Sequence, residues 1–138
     1  MKVELDSCAF VPKRAHSTDA GLDLYSRETA IIPARGSHTF DTGVHVELPH
    51  GTAGVVMSKS GLNVKKNLTS TGLIDESYTG AIRVKLYNHG NEPYTVFKGD
   101  KISQLVVIPV EYVDVEVVDE IPKNTERGDN GFGSIGMR

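Results

Sequence analysis

The chain of 138 residues holds a single cysteine, Cys8, so no disulfide can form within it. Nothing in its cysteine and histidine spacing matches a structural zinc site, and a lone thiol fits a reducing compartment. Excess positive charge is also missing. Fifteen Lys and Arg stand against eighteen Asp and Glu, a formal net charge of −3, which excludes a general attraction for polyanions and argues against a nucleic-acid coat. Long apolar runs are missing too: the start "MKVELDSCAFVPKRAH" has no hydrophobic stretch of signal-peptide kind, and no segment approaches bilayer-spanning length. The expectation is a soluble, non-membrane, cytoplasmic protein, or one of a host's cytoplasm if phage-encoded. At this length it is one domain with room for a single core.

Helical periodicity is nearly absent as well, and alternation takes its place. In "GVHVELP", Val44, Val46 and Leu48 alternate with His45 and Glu47; in "AIRVKLYN", Ile82, Val84 and Leu86 alternate with Arg83, Lys85 and Tyr87. "VDVEV" repeats the pattern at Val113, Val115 and Val117. "ISQLVVIPV" is almost continuously apolar, which predicts a strand buried on both faces and ended by Pro109. The turn signals "PARGS", "LPHGT", "NHGNEP" and "FKGD" separate these runs. Short strands at regular spacing predict an all-β protein, a jelly-roll-like barrel or sandwich, with one short helix near "SGLNVKK". The one detachable piece is a flexible, glycine-rich C-terminal arm beyond Pro122, dividing the chain into a core of residues 1–122 and an arm of 123–138.

Several polar groups have no obvious duty in a core. Asp23 lies between Leu22 and Leu24, a position that by itself reads as a solvated strand carboxylate. In "MSKSGLN", Ser60 can cap the short helix beside Lys59, although an ordinary polar turn explains the fragment equally well. The hairpin turn "DESYTG" projects Asp75 and Tyr78; a tyrosine here can plug a neighbouring loop or serve a ligand. Gln104 shares a strand face with Ile102 and Val106, where its amide needs partners. The tail "ERGDNGFGSIGMR" supplies the Arg127 guanidinium, the Ser134 hydroxyl and glycines that allow close backbone approach; it also carries Phe132 between glycines, an odd ornament for a solvated end.

Taken in order, "DAGLDL", "SKSGL", "GLIDESYTG", "KGDKISQL" and "RGDNGFGSIG" resemble the five motifs of the trimeric dUTPases, from about Ser17 to Gly136. The resemblance implies a jelly-roll homotrimer in which each site is built from three chains and dUTP is hydrolysed to dUMP and pyrophosphate with magnesium. It implies that this keeps uracil out of DNA and supplies dUMP for dTMP synthesis. By position, Asp75 resembles the carboxylate that activates the attacking water. Tyr78 resembles the ring under the deoxyribose that leaves no room for a 2′-hydroxyl, and the backbone at Leu73 and Ile74 resembles the edge that reads uracil. Asp23 matches the residue that holds magnesium through water. Lys59, Ser60, Gly61 and Gln104 match phosphate-contacting positions, and Arg83 is placed with the substrate-binding group. Arg127, Phe132, Gly133 and Ser134 resemble a lid that closes over a neighbouring subunit's site, gripping the γ-phosphate and stacking on the base.

Four positions depart from the family pattern: Lys59 for arginine, Thr69 for asparagine, Ala81 for a polar residue and Ile135 for threonine. Two other readings compete with this one. A related dCTP deaminase would need a glutamate where Lys85 stands, and a non-catalytic relative would have little reason to keep all the matched residues. An added binding role for a regulatory protein partner stays open beside the enzyme reading.

Overall fold

The computed structural model describes residues 1–136; the last two positions of the expected arm, Met137 and Arg138, lie outside them. Eleven strands and one helix are present among the described residues. In chain order they are β1 (Lys2–Leu5), β2 (Leu22–Tyr25), β3 (Ala30–Ile32), β4 (Ser37–Asp41), β5 (Val44–Glu47), β6 (Thr52–Met57), α1 (Ser60–Lys66), β7 (Leu68–Thr69), β8 (Thr71–Ile74), β9 (Arg83–Asn88), β10 (Tyr94–Val96) and β11 (Lys101–Pro109). A four-stranded sheet runs β2-β11-β6-β8 and a three-stranded sheet runs β4-β9-β7; the pairs β1-β5 and β10-β3 complete the body. Every pairing is antiparallel. The expected all-β, jelly-roll-like architecture is the observed one.

Alternation explains how the sheets join. Val84 and Leu86 of β9 point inward while Arg83, Lys85 and Tyr87 stay exposed, and Phe40 of β4 is fully buried opposite Val84. From the larger sheet come Leu24, Val56 and Leu105, and these side chains form one cluster with Phe40, Leu68 and Leu86. A single apolar layer therefore lies between the sheets, with two inner faces contributing to it.

Three expectations need correction. β11 does end at Pro109, but only its first half is enclosed; Ile108 and Pro109 are exposed because the strand runs past the core. "VDVEV" forms no strand: Val113, Val115 and Val117 are 75%, 87% and 91% exposed, since no described strand lies beside them to complete a ladder. The helix forms over Ser60–Lys66 as expected, yet its N-cap is Lys59 and no side chain caps it, so Ser60 is the first helical residue and not the cap. Asn67 closes its other end in the left-handed conformation, with its N–H donated to the Leu62 carbonyl.

Candidate active site

The loop joining β8 to β9 carries the first group. A turn in which the Tyr78 N–H donates to the Asp75 carbonyl (3.0 Å) lifts both side chains from the sheet. The Tyr78 hydroxyl donates to the Ala81 carbonyl at 2.9 Å, which lays the ring back along its own loop. Gly80 makes this possible: a Cβ there would stand 2.5 Å from the ring's Cζ and 2.8 Å from Cε1. The ring remains 42% exposed, so it is not the hydrophobic plug that its bare sequence context allows. Val56, Gly72, Leu73, Ile74, Asp75, Tyr78, Ala81 and Arg83 together line a hollow of about 260 Å³. Five residues marked out in the sequence, Leu73, Ile74, Asp75, Tyr78 and Arg83, thus meet around one concavity.

A second group gathers where β2, β11 and the end of β6 come together. Asp23 is buried, not solvated, and its two carboxylate oxygens are held by the ammonium groups of Lys59 and, at 3.2 Å, Lys101. A register irregularity between Lys101 and Ser103 allows Lys101, nominally opposite Tyr25, to reach it. The bond to Asp23, and then its charge, pushes the Lys101 ammonium pKa above the ordinary lysine value. Gln104 faces Asp23 on one side and Met57 on the other, and its amide donates to the Ser58 carbonyl at 3.0 Å. Gly21 lets this amide pack closely, because a Cβ there would fall 2.9 Å from the Gln104 Cβ.

Beneath Lys59 lies a chain of hydroxyls. Ser103 donates to the Met57 carbonyl (2.7 Å) and bonds Ser70 Oγ (2.8 Å), while Ser58 exchanges hydrogen bonds with the Ser70 backbone at 3.0 Å in each direction. Ser70 and Ser103 are buried, so these bonds satisfy them and fix the loop that presents Lys59, Ser60 and Gly61.

The two groups stand apart. Ile74 is opposite Gly54 and Gln104 is opposite Met57, three residues along β6; with the intervening strands, sheet spacing puts Asp23 about 17 Å from Ile74. The third group, in the arm, makes no hydrogen bond to either among the described residues. Arg127 donates to the Asn130 carbonyl (2.7 Å), Ser134 contacts the same oxygen (3.3 Å), and Phe132 and Gly133 are exposed. Lys101, Ser70, Ser103 and Glu76 were not singled out in the sequence. Lys101, Ser103 and Glu76 lie inside quoted motifs, but their roles depend on register and on neighbouring turns.

The class is thus an all-β antiparallel sandwich that carries an acid and an exposed ring over a hollow and, separately, a cluster of lysines, an aspartate and an amide. The sequence matches the dUTPase family model over residues 8–136. It is 44% identical to a deoxyuridine 5′-triphosphate nucleotidohydrolase of Clostridium acetobutylicum, covering 98% of this chain and 94% of that protein. To the protein of that name from Candida albicans it is 41% identical, covering 91% and 80%. Among solved structures, the Staphylococcus bacteriophage 80alpha dUTPase with dUPNHPP superposes with a TM-score of 0.92 at 30% identity, covering 98% and 97%. A mutant dUTPase from phage phi11, described with a structural Mg(II) ion, superposes at 0.80 with 29% identity, covering 86% and 96%. Within the all-β class the chain belongs to the dUTPase family, the dUTP diphosphatases.

Proposed function

We propose that the protein hydrolyses dUTP to dUMP and pyrophosphate, limiting uracil entry into DNA and providing dUMP for dTMP synthesis. The observation that carries the reading is the hollow that gathers Leu73, Ile74, Asp75, Tyr78 and Arg83. A uracil ring meets the β8 edge at Leu73 and Ile74, the deoxyribose rests on Tyr78, and Asp75 takes the proton of a water that attacks the α-phosphorus. The new bond forms to the water oxygen, and the bond to the oxygen bridging to the β-phosphorus breaks with pyrophosphate as leaving group.

The phosphates follow the sugar directly, whereas the Asp23, Lys59 and Gln104 cluster stands apart from this hollow on the same chain, with Asp23 about 17 Å from Ile74. A homotrimer supplies that cluster from a second copy. The arm, residues 123–138, supplies Arg127, Phe132, Gly133 and Ser134 to the site of a neighbour, excluding water on closure.

Among the described residues no group of three or more His, Cys, Asp or Glu could hold a metal ion as a protein cage. A single buried carboxylate at Asp23, whose two oxygens are already held by Lys59 and Lys101, instead fits a magnesium ion that keeps its waters, is held through them and takes phosphate oxygens. When bound, that ion neutralises phosphate charge. No described helix is long and apolar enough to cross a membrane.

The test is pyrophosphate release from dUTP, dCTP, dTTP and UTP, each with magnesium and with a chelator. Release from dUTP alone, lost on chelation, is expected; ammonia from dCTP, or no product from any of the four, would overturn the reading.

A further inference from the structure

Glu76 follows Asp75 directly and points away from the hollow, into a junction of three segments. One carboxylate oxygen accepts the Gly51 N–H at 2.7 Å and the Tyr112 O–H at 2.7 Å; the other meets His50 Nδ1 at 3.1 Å. His50 and Gly51 belong to the β5–β6 turn, and Tyr112 stands just beyond β11, where the chain sets out toward the arm. The Val110 N–H donates to the Gly51 carbonyl (2.8 Å), so the turn and the departing segment are already tied where Glu76 arrives. The Tyr112 ring lies against His50 with centroids 6.4 Å apart.

This junction matters because Asp75 leaves the paired end of β8 at Ile74 and enters an exposed turn. Its residue is exposed, as are Ser77 and Tyr78, and a second hollow of about 460 Å³ opens on the far side of Leu73 and Asp75. The loop therefore stands as a wall between two open spaces. At its other end the Thr79 carbonyl is bound by His45 Nδ1 at 2.7 Å. Asp75 itself lies between Ile74, the last paired residue of β8, and Glu76, and its carbonyl accepts the turn bond from the Tyr78 N–H. A water-activating carboxylate displaced by about an ångström loses much of its rate.

Resting on the reading of Asp75 as the base, we infer that Glu76 is a positioning residue for Asp75, and that the Tyr112 hydroxyl is its partner at the root of the arm. Three convergent hydrogen bonds on one carboxylate, two of them at 2.7 Å, hold the loop more firmly than a solvated surface glutamate would. The path of the chain into the arm is thereby registered on the residue next to the base.

Steady-state kinetics on the full-length protein with dUTP and magnesium test this, using Asp75→Asn, Glu76→Ala, Glu76→Gln and Tyr112→Phe. The expected result is a kcat roughly tenfold or more lower in Glu76→Ala, with KM for dUTP within about twofold. Tyr112→Phe, which loses one bond and keeps the ring, should lose roughly threefold in kcat, and Glu76→Gln, which keeps an acceptor, should recover part of the Glu76→Ala loss. Should Glu76→Ala fail to fold, the other two variants decide. A kcat within twofold of wild type in all folded variants, while Asp75→Asn is inactive, would overturn the inference and leave the proposed function standing. Near-normal turnover in Asp75→Asn would instead remove the base assignment on which the inference rests.

Discussion

Gly80→Ala separates the architecture of the hairpin from its chemistry. Gly80 does not need a left-handed conformation; its role is to leave space, since an added Cβ would sit 2.5 and 2.8 Å from atoms of the Tyr78 ring. Real Cβ atoms do not tolerate such contacts, and the ring, 42% exposed, is the part free to move. Swinging out breaks the hydrogen bond from the Tyr78 hydroxyl to the Ala81 carbonyl, costing about 0.5–1.5 kcal/mol. Against this, replacing glycine by alanine removes unfolded-state freedom, a gain of about 0.4–1 kcal/mol. The terms nearly cancel, so the melting temperature should move by no more than a few degrees. Function should not be spared. Loss of an aromatic platform worth about 0.5–1.5 kcal/mol predicts a kcat/KM for dUTP lower by roughly two- to tenfold. The ratio of kcat/KM for dUTP to that for UTP should fall as well, because the ring proposed to exclude a 2′-hydroxyl has moved. Thermal unfolding and the two kinetic series form the assay. An unchanged dUTP to UTP ratio in a folded variant would refute the role given to the ring.

Three other outcomes are expected. Asp75→Asn should keep nucleotide affinity, measured calorimetrically with magnesium and a non-hydrolysable analogue, while losing at least a hundredfold in kcat. Truncation before Arg127 should leave the body's unfolding transition intact and sharply reduce hydrolysis, since the arm's hydrogen bonds are internal; full activity would remove the lid. The hairpin's two fastenings should respond to pH with opposite sign. Bonds from Tyr112, then from the Gly51 N–H and His50, hold Glu76 down to about 2, so its stabilisation is complete above the ordinary value of 4.5 and is lost as pH falls toward 2. The Thr79 carbonyl, then Asp6, raise the His45 pKa, so its stabilisation is complete below 6.5 and is lost as pH rises through the folded-state value. Glu76→Gln should flatten the acid limb of the denaturation midpoint against pH and leave the alkaline limb to His45→Gln; unchanged limbs in both variants would dismiss the fastenings.

Period-two patterning made β5 and β9 legible, because each has one face in the core. The same signal misled at "VDVEV": alternation reports which side chains share a face but not whether a neighbouring strand exists to pair with it. The three-residue strands β3 and β10 are too short for any period to register. Residues of the hairpin hollow are legible because, Val56 apart, they fall in one short stretch from Gly72 to Arg83. The pairing of Asp23 with Lys101 was not, since it depends on the irregularity between Lys101 and Ser103. The Glu76 junction likewise joins positions separated by 25 and 36 residues, and no local pattern encodes such a meeting.

The exposed run at Val113, Val115 and Val117 bears on more than the accuracy of a strand assignment. A length of backbone spelled for a sheet but lacking a ladder is the part of a molecule most ready to accept another strand, rightly or wrongly. Where another copy of the chain supplies that ladder, resistance to unfolding ceases to be a fixed property of the chain and grows with protein concentration. Dilution would then take the molecule apart more gently than heat.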